Sequence, residues 1–321
     1  MEKHQKRNNY FSRISEKPQI KIALLEIKKY AAIDIGSNAI RLLIANIIIE
    51  KGKEPQFKKS SIIRVPIRLG TDVFVSENIS SENSDRMIDA MNAFKLLMKI
   101  NSVEKHKACA TSAMREATNG KKIADNIYAK TGIEIDIISG KKEAAIIFST
   151  DLSELIEGDA SYLYVDVGGG STEFTLFSKG EIISSKSFKM GTVRLLNNKK
   201  SENKIIFKEV QKWIEEHTKN TKKISLIGSG GNINRVFKMS GKTAGKPISY
   251  TYLSAQYQFL KQMSYKERIS ELSLNPDRAD VIVPATKIYL SAMKWSGARK
   301  IYVPKVGLAD GIIKMLYFNK L

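Results

Sequence analysis

Cysteine is nearly absent: Cys109 stands alone, so no disulfide can form within the chain. The three histidines, His4, His106 and His217, are too scattered to suggest a zinc-type cluster, and any metal should be a hard cation held by carboxylates. No run of about eighteen apolar residues occurs, and no membrane partner is expected. The first thirty residues lack the apolar centre and small-residue cleavage site of a secretory signal, so a cytoplasmic location is expected. Acidic residues are also in deficit, with 33 against 53 basic ones and a formal net charge of +20. Such a field raises the local concentration of polyanions. A polyphosphate, a nucleotide or a nucleic acid would satisfy it, but dispersed, solvated lysines satisfy it equally well. Charge alone therefore chooses no function.

What is present suffices for two domains of ordinary size, since 321 residues with 42% apolar content can bury two cores. Residues up to about Glu26 read as a polar, basic extension. From Lys29 the pattern turns strand-like: Tyr30 to Ile35, a Gly-Ser-Asn turn, then Ile40 to Ala45, which together predict a hairpin. A third strand is expected at 61–65. Apolar residues at Met87, Ile88, Met91, Phe94, Leu97 and Met98 recur at helical spacing and predict a helix over 82–100. A strand ending near Ala110, a helix around 121–130 and a strand at 133–138 complete an α/β domain.

The opening recurs further on. Ser161 to Val167 leads into Gly168-Gly169-Gly170-Ser171 and then Thr172 to Phe177, a weak internal repeat of the first hairpin. Two related domains follow, with the boundary near a helix that begins at about Lys141. Beyond residue 200 the pattern is mostly helical, interrupted by a strand at 224–227, the turn Gly228-Ser229-Gly230-Gly231, and a last strand at 300–303 before a terminal helix.

Alternation along a strand sends Ile33 and Ile35 into the core and Asp34 out of it, and Val165, Asp166 and Val167 repeat the arrangement. The glycines that follow allow positive φ and close approach to a ligand, leaving N–H groups free for phosphate oxygens, with Ser37, Ser171 and Thr172 adding hydroxyl donors. A carboxylate beside a phosphate-binding turn is what a Mg²⁺–phosphate site requires. A lone Asp-x-Gly-Ser is also a common hairpin turn, and three glycines bounded by Asp and Ser are rarer. The third turn, before a helix, suits anions at a helix N-terminus.

Seven ordered blocks carry a more specific signal: Ala32 to Asn38, Arg68-Leu69-Gly70, Ala110 to Arg115, Ile138 to Ala144, Val165 to Glu173, Met190 to Arg194, and Gly228 to Gly231. In order and spacing the chain resembles the exopolyphosphatase / guanosine pentaphosphate phosphatase (Ppx/GppA) family, a branch of the actin-like, sugar-kinase-like ATPase superfamily, over about residues 30–315. The resemblance implies an α/β fold of two ribonuclease-H-like (actin-like ATPase) domains with an inter-domain cleft. The expected division is a basic extension at 1–28, an N-terminal domain at 29–145 and a C-terminal domain at 146–321, whose terminal helix packs back on the first.

The implied activity is Mg²⁺-dependent release of terminal orthophosphate from inorganic polyphosphate, guanosine pentaphosphate or both. Glu143 matches the family's proposed general base, at the first turn of the helix crossing between domains. Asp166 and Glu173 match its acidic metal positions, and Asp34 is a further ligand or an orienter of metal-bound water. The implied substrate-binding set is Gly36, Ser37, Asn38, Arg115, Gly168, Gly169, Gly170, Ser171, Thr172, Arg194 and Gly230, with Arg41 and Arg68 as further candidates. Cys109 reads as a packed strand residue and His106 as a surface one. A homodimer is implied, and no nucleic-acid partner.

Three departures bear on turnover and preference. Asn232 stands where the family commonly has Thr, Ala309 where many relatives carry Arg, and Thr71 to Phe74 lacks a second glycine. Long members continue into further helical domains, and the shorter chain here is expected to favour short polymers. The alternatives are a non-catalytic phosphate or nucleotide sensor and an ATP-dependent kinase of the same superfamily.

Overall fold

The computed structural model describes residues 25–150, 160–221 and 223–321. The expected basic extension lies outside the described residues up to position 24, and 25–28 already belong to the first strand. Elements of the first half run β1 (Leu25–Ile35), β2 (Ile40–Glu50), β3 (Gln56–Val65), α1 (Leu69–Ser76), α2 (Ser81–Ile100), β4 (Lys105–Ala110), α3 (Ser112–Glu116), α4 (Gly120–Thr131), β5 (Ile135–Ile137) and α5 (Gly140–Phe148). The second half begins with β6 (Ser161–Val167), β7 (Thr172–Ser178), β8 (Glu181–Phe188), α6 (Thr192–Asn197), α7 (Lys200–Thr218), β9 (Ile224–Ser229) and α8 (Gly231–Met239). It ends with β10 (Ile248–Ser249), α9 (Tyr250–Gln262), α10 (Tyr265–Ser270), α11 (Pro276–Ala279), α12 (Ile282–Ser296), β11 (Lys300–Tyr302) and α13 (Leu308–Tyr317).

The strands form two sheets, ordered β3-β2-β1-β4-β5 and β10-β11-β9-β6-β7-β8. With β6 set equal to β1, the second sheet repeats the first. Each has an antiparallel meander of three strands, then two strands parallel to the first, and β10 is an antiparallel addition beyond them. This is the ribonuclease-H-like strand order expected for both halves. The expected boundary between residues 145 and 146 falls inside α5, which continues through it.

Each sheet buries its own core. Beneath the first, Ile33, Ile35, Leu42 and Ile44 pack against Met87, Met91 and Phe94 of α2. The second packs Phe174, Leu176 and Leu226 against Trp213 of α7 and Ile288 and Tyr289 of α12. A third cluster lies between the sheets and joins Ala32, Leu43 and Cys109 to Ile146 and Ile147 of α5, Tyr164, and Ile312 and Ile313 of α13. The terminal helix thus packs against residues of the first sheet. Gly311 makes this possible, because a Cβ there would run into the backbone of Ile146. Gly311 therefore sets how closely α13 crosses α5.

Candidate active site

Register places the chemistry. Directly opposed residues in paired strands share a face, and in the second sheet Ser229, Asp166, Glu173 and Ser187 form one such row across β9, β6, β7 and β8. In the first sheet the corresponding row is Arg64, Arg41, Asp34, Cys109 and Asp136 across β3, β2, β1, β4 and β5. A cavity of about 280 Å³ lies between the sheets, and Asp34, Arg41, Arg64, Asp166, Glu173 and Ser229 all reach it. Glu143 joins them from the first turn of α5, whose N-terminus is capped by Ser139 Oγ accepting from the Lys142 amide at 3.2 Å.

Glu143, Asp166 and Glu173 each offer a carboxylate oxygen, and these oxygens lie within 4.8 Å of one another. Burial, then the charges of Glu173, Asp166 and Asp34, pushes Glu143 well above the usual carboxylate range. Burial first and Glu173 second push Asp166 up to about 7. Glu173 is also raised by burial, against the opposing hydrogen bonds from Ser171 and Ser187. Glu143 Oε2 is buried with no hydrogen-bond partner. Three crowded carboxylates fit a hard divalent cation, which would relieve their repulsion, and the orphaned Glu143 oxygen is left to accept from a water. Asp34 differs from these three, because Arg41 Nη1 donates to its Oδ2 at 2.7 Å.

The glycine turns behave differently from expectation. Gly36, Gly168, Gly169 and Gly170 are not in the positive-φ region, and of the expected glycines only Gly230 is, at φ 117°. Close packing is the reason for glycine at the others. A Cβ at Gly169 would stand 3.0 Å from Ser37 Cβ, and one at Gly170 would collide with Ser112 Oγ and the Phe74 ring. The two phosphate-type turns therefore touch one another at the floor of the cleft. At Gly230 the backbone conformation itself requires glycine, and the turn passes close to Asp166 Oδ1.

The structure does not bring every expected residue into the cleft. Gly36, Ser37, Asn38, Gly168, Gly169, Gly170, Ser171 and Gly230 line it, whereas Thr172, Arg115 and Arg194 do not. Thr172 is fully buried and donates to Met190 O, because β7 alternation turns it inward. Arg194 donates from Nη2 to both oxygens of Glu116 at 2.8 and 2.9 Å and from Nε to Gly170 O at 2.9 Å, with its guanidinium over the Phe74 ring. Arg115 donates to Ile138 O at 2.8 Å and stands 3.9 Å from Glu143 Oε2, behind the base candidate. Arg68, in the left-handed region at φ 61°, pairs with Asp280 at 2.7 Å. Ser171 Oγ donates to Glu173 Oε1 at 2.7 Å.

Other basic residues take the rim. Lys59, Arg64, Arg278 and Lys305 line the cavity with Arg41, and none of the four was singled out in the sequence. Burial, then Arg64 and Arg41, holds Arg278 below its ordinary value, a sign of how closely the three guanidinium groups gather. Arg64 also pairs with Asp277, whose backbone carbonyl accepts from Asn38 Nδ2 at 3.0 Å. The departures Asn232 and Ala309 both line the cleft. Phe74, in the stretch lacking a second glycine, is the residue against which Gly170 packs. Among the described residues no helix is long and apolar enough to cross a membrane.

Comparison with known proteins adds to this geometry. The family described as the Ppx/GppA phosphatase family matches residues 48–317. A Fusobacterium nucleatum protein named bifunctional 3-dehydroquinate synthase/phosphatase is 33% identical over 85% of this chain, which spans 44% of that relative's length. Exopolyphosphatase 2 of Mycobacterium tuberculosis is 26% identical over 90% of this chain and 98% of its own length. The solved structure of an exopolyphosphatase from Cytophaga hutchinsonii, 24% identical, superposes with a TM-score of 0.80 over 91% of this chain and 98% of that one. The last likeness concerns the fold.

Proposed function

This chain belongs to the Ppx/GppA phosphatase family, and we propose that it releases terminal orthophosphate from inorganic polyphosphate, guanosine pentaphosphate or both, with Mg²⁺ held by Asp166 and Glu173. The observation that carries the reading is the polarity of the cleft. Glu143, Asp166 and Glu173 converge at one place, while Arg41, Arg64 and Arg278 gather beside them. An anionic chain enters along guanidinium groups, which bind phosphate oxygens in pairs, and ends at the carboxylates. A cation bound there would neutralise the carboxylates and draw charge from the terminal phosphate oxygens.

The residues then divide the work. The amides of Gly36 and Gly168 are already bonded within their turns, to Ala39 O at 3.2 Å and Ser171 O at 3.0 Å, so Arg41 and the amides of 37–38 and 169–170 hold the phosphates in line. Glu143 takes a proton from a water poised behind the terminal phosphorus. The new P–O bond forms as the bond to the bridging oxygen breaks, and the remaining chain leaves one phosphate shorter with that bond's electron pair. Asp34, held by Arg41, orients water at the entrance to the carboxylate cluster. A homodimer, which rests on the family resemblance, and a cytoplasmic location complete the proposal.

Purified protein incubated with Mg²⁺ and, separately, short polyphosphate, long polyphosphate, guanosine pentaphosphate or ATP tests it by orthophosphate release. Release from a polyphosphate or from the pentaphosphate is expected. Binding without release from any of them would make the cleft a sensor, and transfer from ATP to an added acceptor would make it a kinase.

A further inference from the structure

Ser187 stands at the end of the row that contains two of the three clustered carboxylates, outside the cavity itself. It faces Glu173 directly across β7 and β8, and its Oγ donates to Glu173 Oε1 at 2.9 Å. Ser171 Oγ donates to the same oxygen at 2.7 Å. Two hydroxyl donors on Oε1 stop the carboxylate from rotating, and Oε2 keeps its lone pairs for the cluster. At the other end of the row Ser229 faces Asp166 directly across β9 and β6, and its hydroxyl donates to Val306 O at 3.3 Å. Serines thus bracket the acidic pair on both sides.

We infer that Ser187 is a positioning residue, which fixes Glu173 for a divalent cation without touching cation or substrate; the inference rests on the metal reading proposed above. Ser187 also touches the helix that carries Glu143. A Cβ at Gly140, the first residue of α5, would come within 3.1 Å of Ser187 Cβ. The hydroxyl that orients Glu173 and the helix start that presents Glu143 are therefore packed together. Partners that orient a metal ligand are commonly worth about 10- to 100-fold in metal affinity. Ser187 is an exposed residue near the end of an edge strand, so its removal leaves no buried cavity.

Mn²⁺ serves as the probe, because its free ion is counted by electron paramagnetic resonance and it accepts the oxygen ligands that Mg²⁺ uses. Titration of the parent, Ser187→Ala and Ser187→Thr proteins is expected to show about tenfold weaker Mn²⁺ binding for Ala. The Thr variant, which keeps the hydroxyl, should bind within about threefold of the parent. Phosphate release by Ser187→Ala should recover at saturating metal. Parent-like Mn²⁺ binding by the Ala variant overturns the inference alone, and so does equal loss in both variants, which would make packing the cause. A parent protein that binds no Mn²⁺ overturns the metal reading, and the inference falls with it.

Discussion

Arg41 and Asp34 stand opposite each other in the β1–β2 ladder, and Arg41 Nη1 donates to Asp34 Oδ2 at 2.7 Å. The Arg41 side chain is still 39% exposed toward the cleft, so it has donors left for a ligand, while the Asp34 side chain is nearly enclosed. One arginine thus holds a carboxylate in place and offers its outer edge to an anion. Replacing Arg41 with Gln is expected to lower kcat/KM roughly tenfold or more, mainly through KM. Arg41→Lys should recover only part, since an ammonium cannot form the paired contacts. Steady-state phosphate release checks this, and an unchanged KM in Arg41→Gln would refute it.

The floor of the cleft depends on backbone packed against backbone. A Cβ at Gly191 would run into the backbone of Gly169 and Gly170, whose carbonyl Gly169 O accepts from the amides of Val193 and Arg194. Gly191→Ala is therefore expected to cost about 1–3 kcal/mol in stability by overpacking. Gly307→Ala, where a Cβ meets nothing, should stay within about 0.5 kcal/mol. Denaturant unfolding of both variants provides the comparison, and equal midpoints would show that the turns can move apart freely.

Glu116 joins the halves by accepting from Ser112 Oγ and from Arg194, with Lys189 at 3.2 Å. Burial raises its pKa, but the Ser112 hydrogen bond, Arg194 and Lys189 together outweigh that and leave it below the ordinary value. A depressed folded value means that the stabilisation is present above the unfolded pKa and is lost as pH falls through the folded one. Parent protein should thus lose stability between about pH 5 and pH 3 more steeply than Glu116→Gln. Denaturant midpoints across that range decide it, and parallel curves would contradict the assignment.

Cys109 shares a cross-strand row with Asp34 and Asp136 yet is wholly buried, and burial, then Asp136, pushes its thiol up to about 12. A thiol held protonated is a poor nucleophile. Native protein at pH 8 is expected to leave a disulfide reagent such as DTNB unreacted, and denatured protein to react with one equivalent. Rapid reaction of the native protein would show that the strands around Cys109 open readily.

The sequence reveals the hairpins and their acidic strand ends because alternation and glycine turns are local signals. Ile33-Asp34-Ile35 and Val165-Asp166-Val167 need only their neighbours to be read. Register is not local. Nothing in Glu181 to Phe188 announces that β8 will set Ser187 opposite Glu173, and the strand was missed because its residues are mostly exposed and do not alternate. Arg278 reaches the cleft from a four-residue helix, brought beside Arg64 by tertiary packing alone. Arg194 reads as a phosphate ligand until its partner Glu116, 78 residues earlier, is seen to occupy it. The turn glycines show a related limit, since composition cannot separate glycine kept for positive φ from glycine kept for close contact.

The proposed role of Glu143 as general base is what would separate a hydrolase from a cleft that only binds. Orthophosphate release from short polyphosphate in Mg²⁺, measured for parent and Glu143→Gln proteins at matched substrate saturation, tests this directly. A fall of about 100-fold or more is expected in the variant, with polyphosphate binding retained. Release that survives the substitution at close to the parent rate would contradict it.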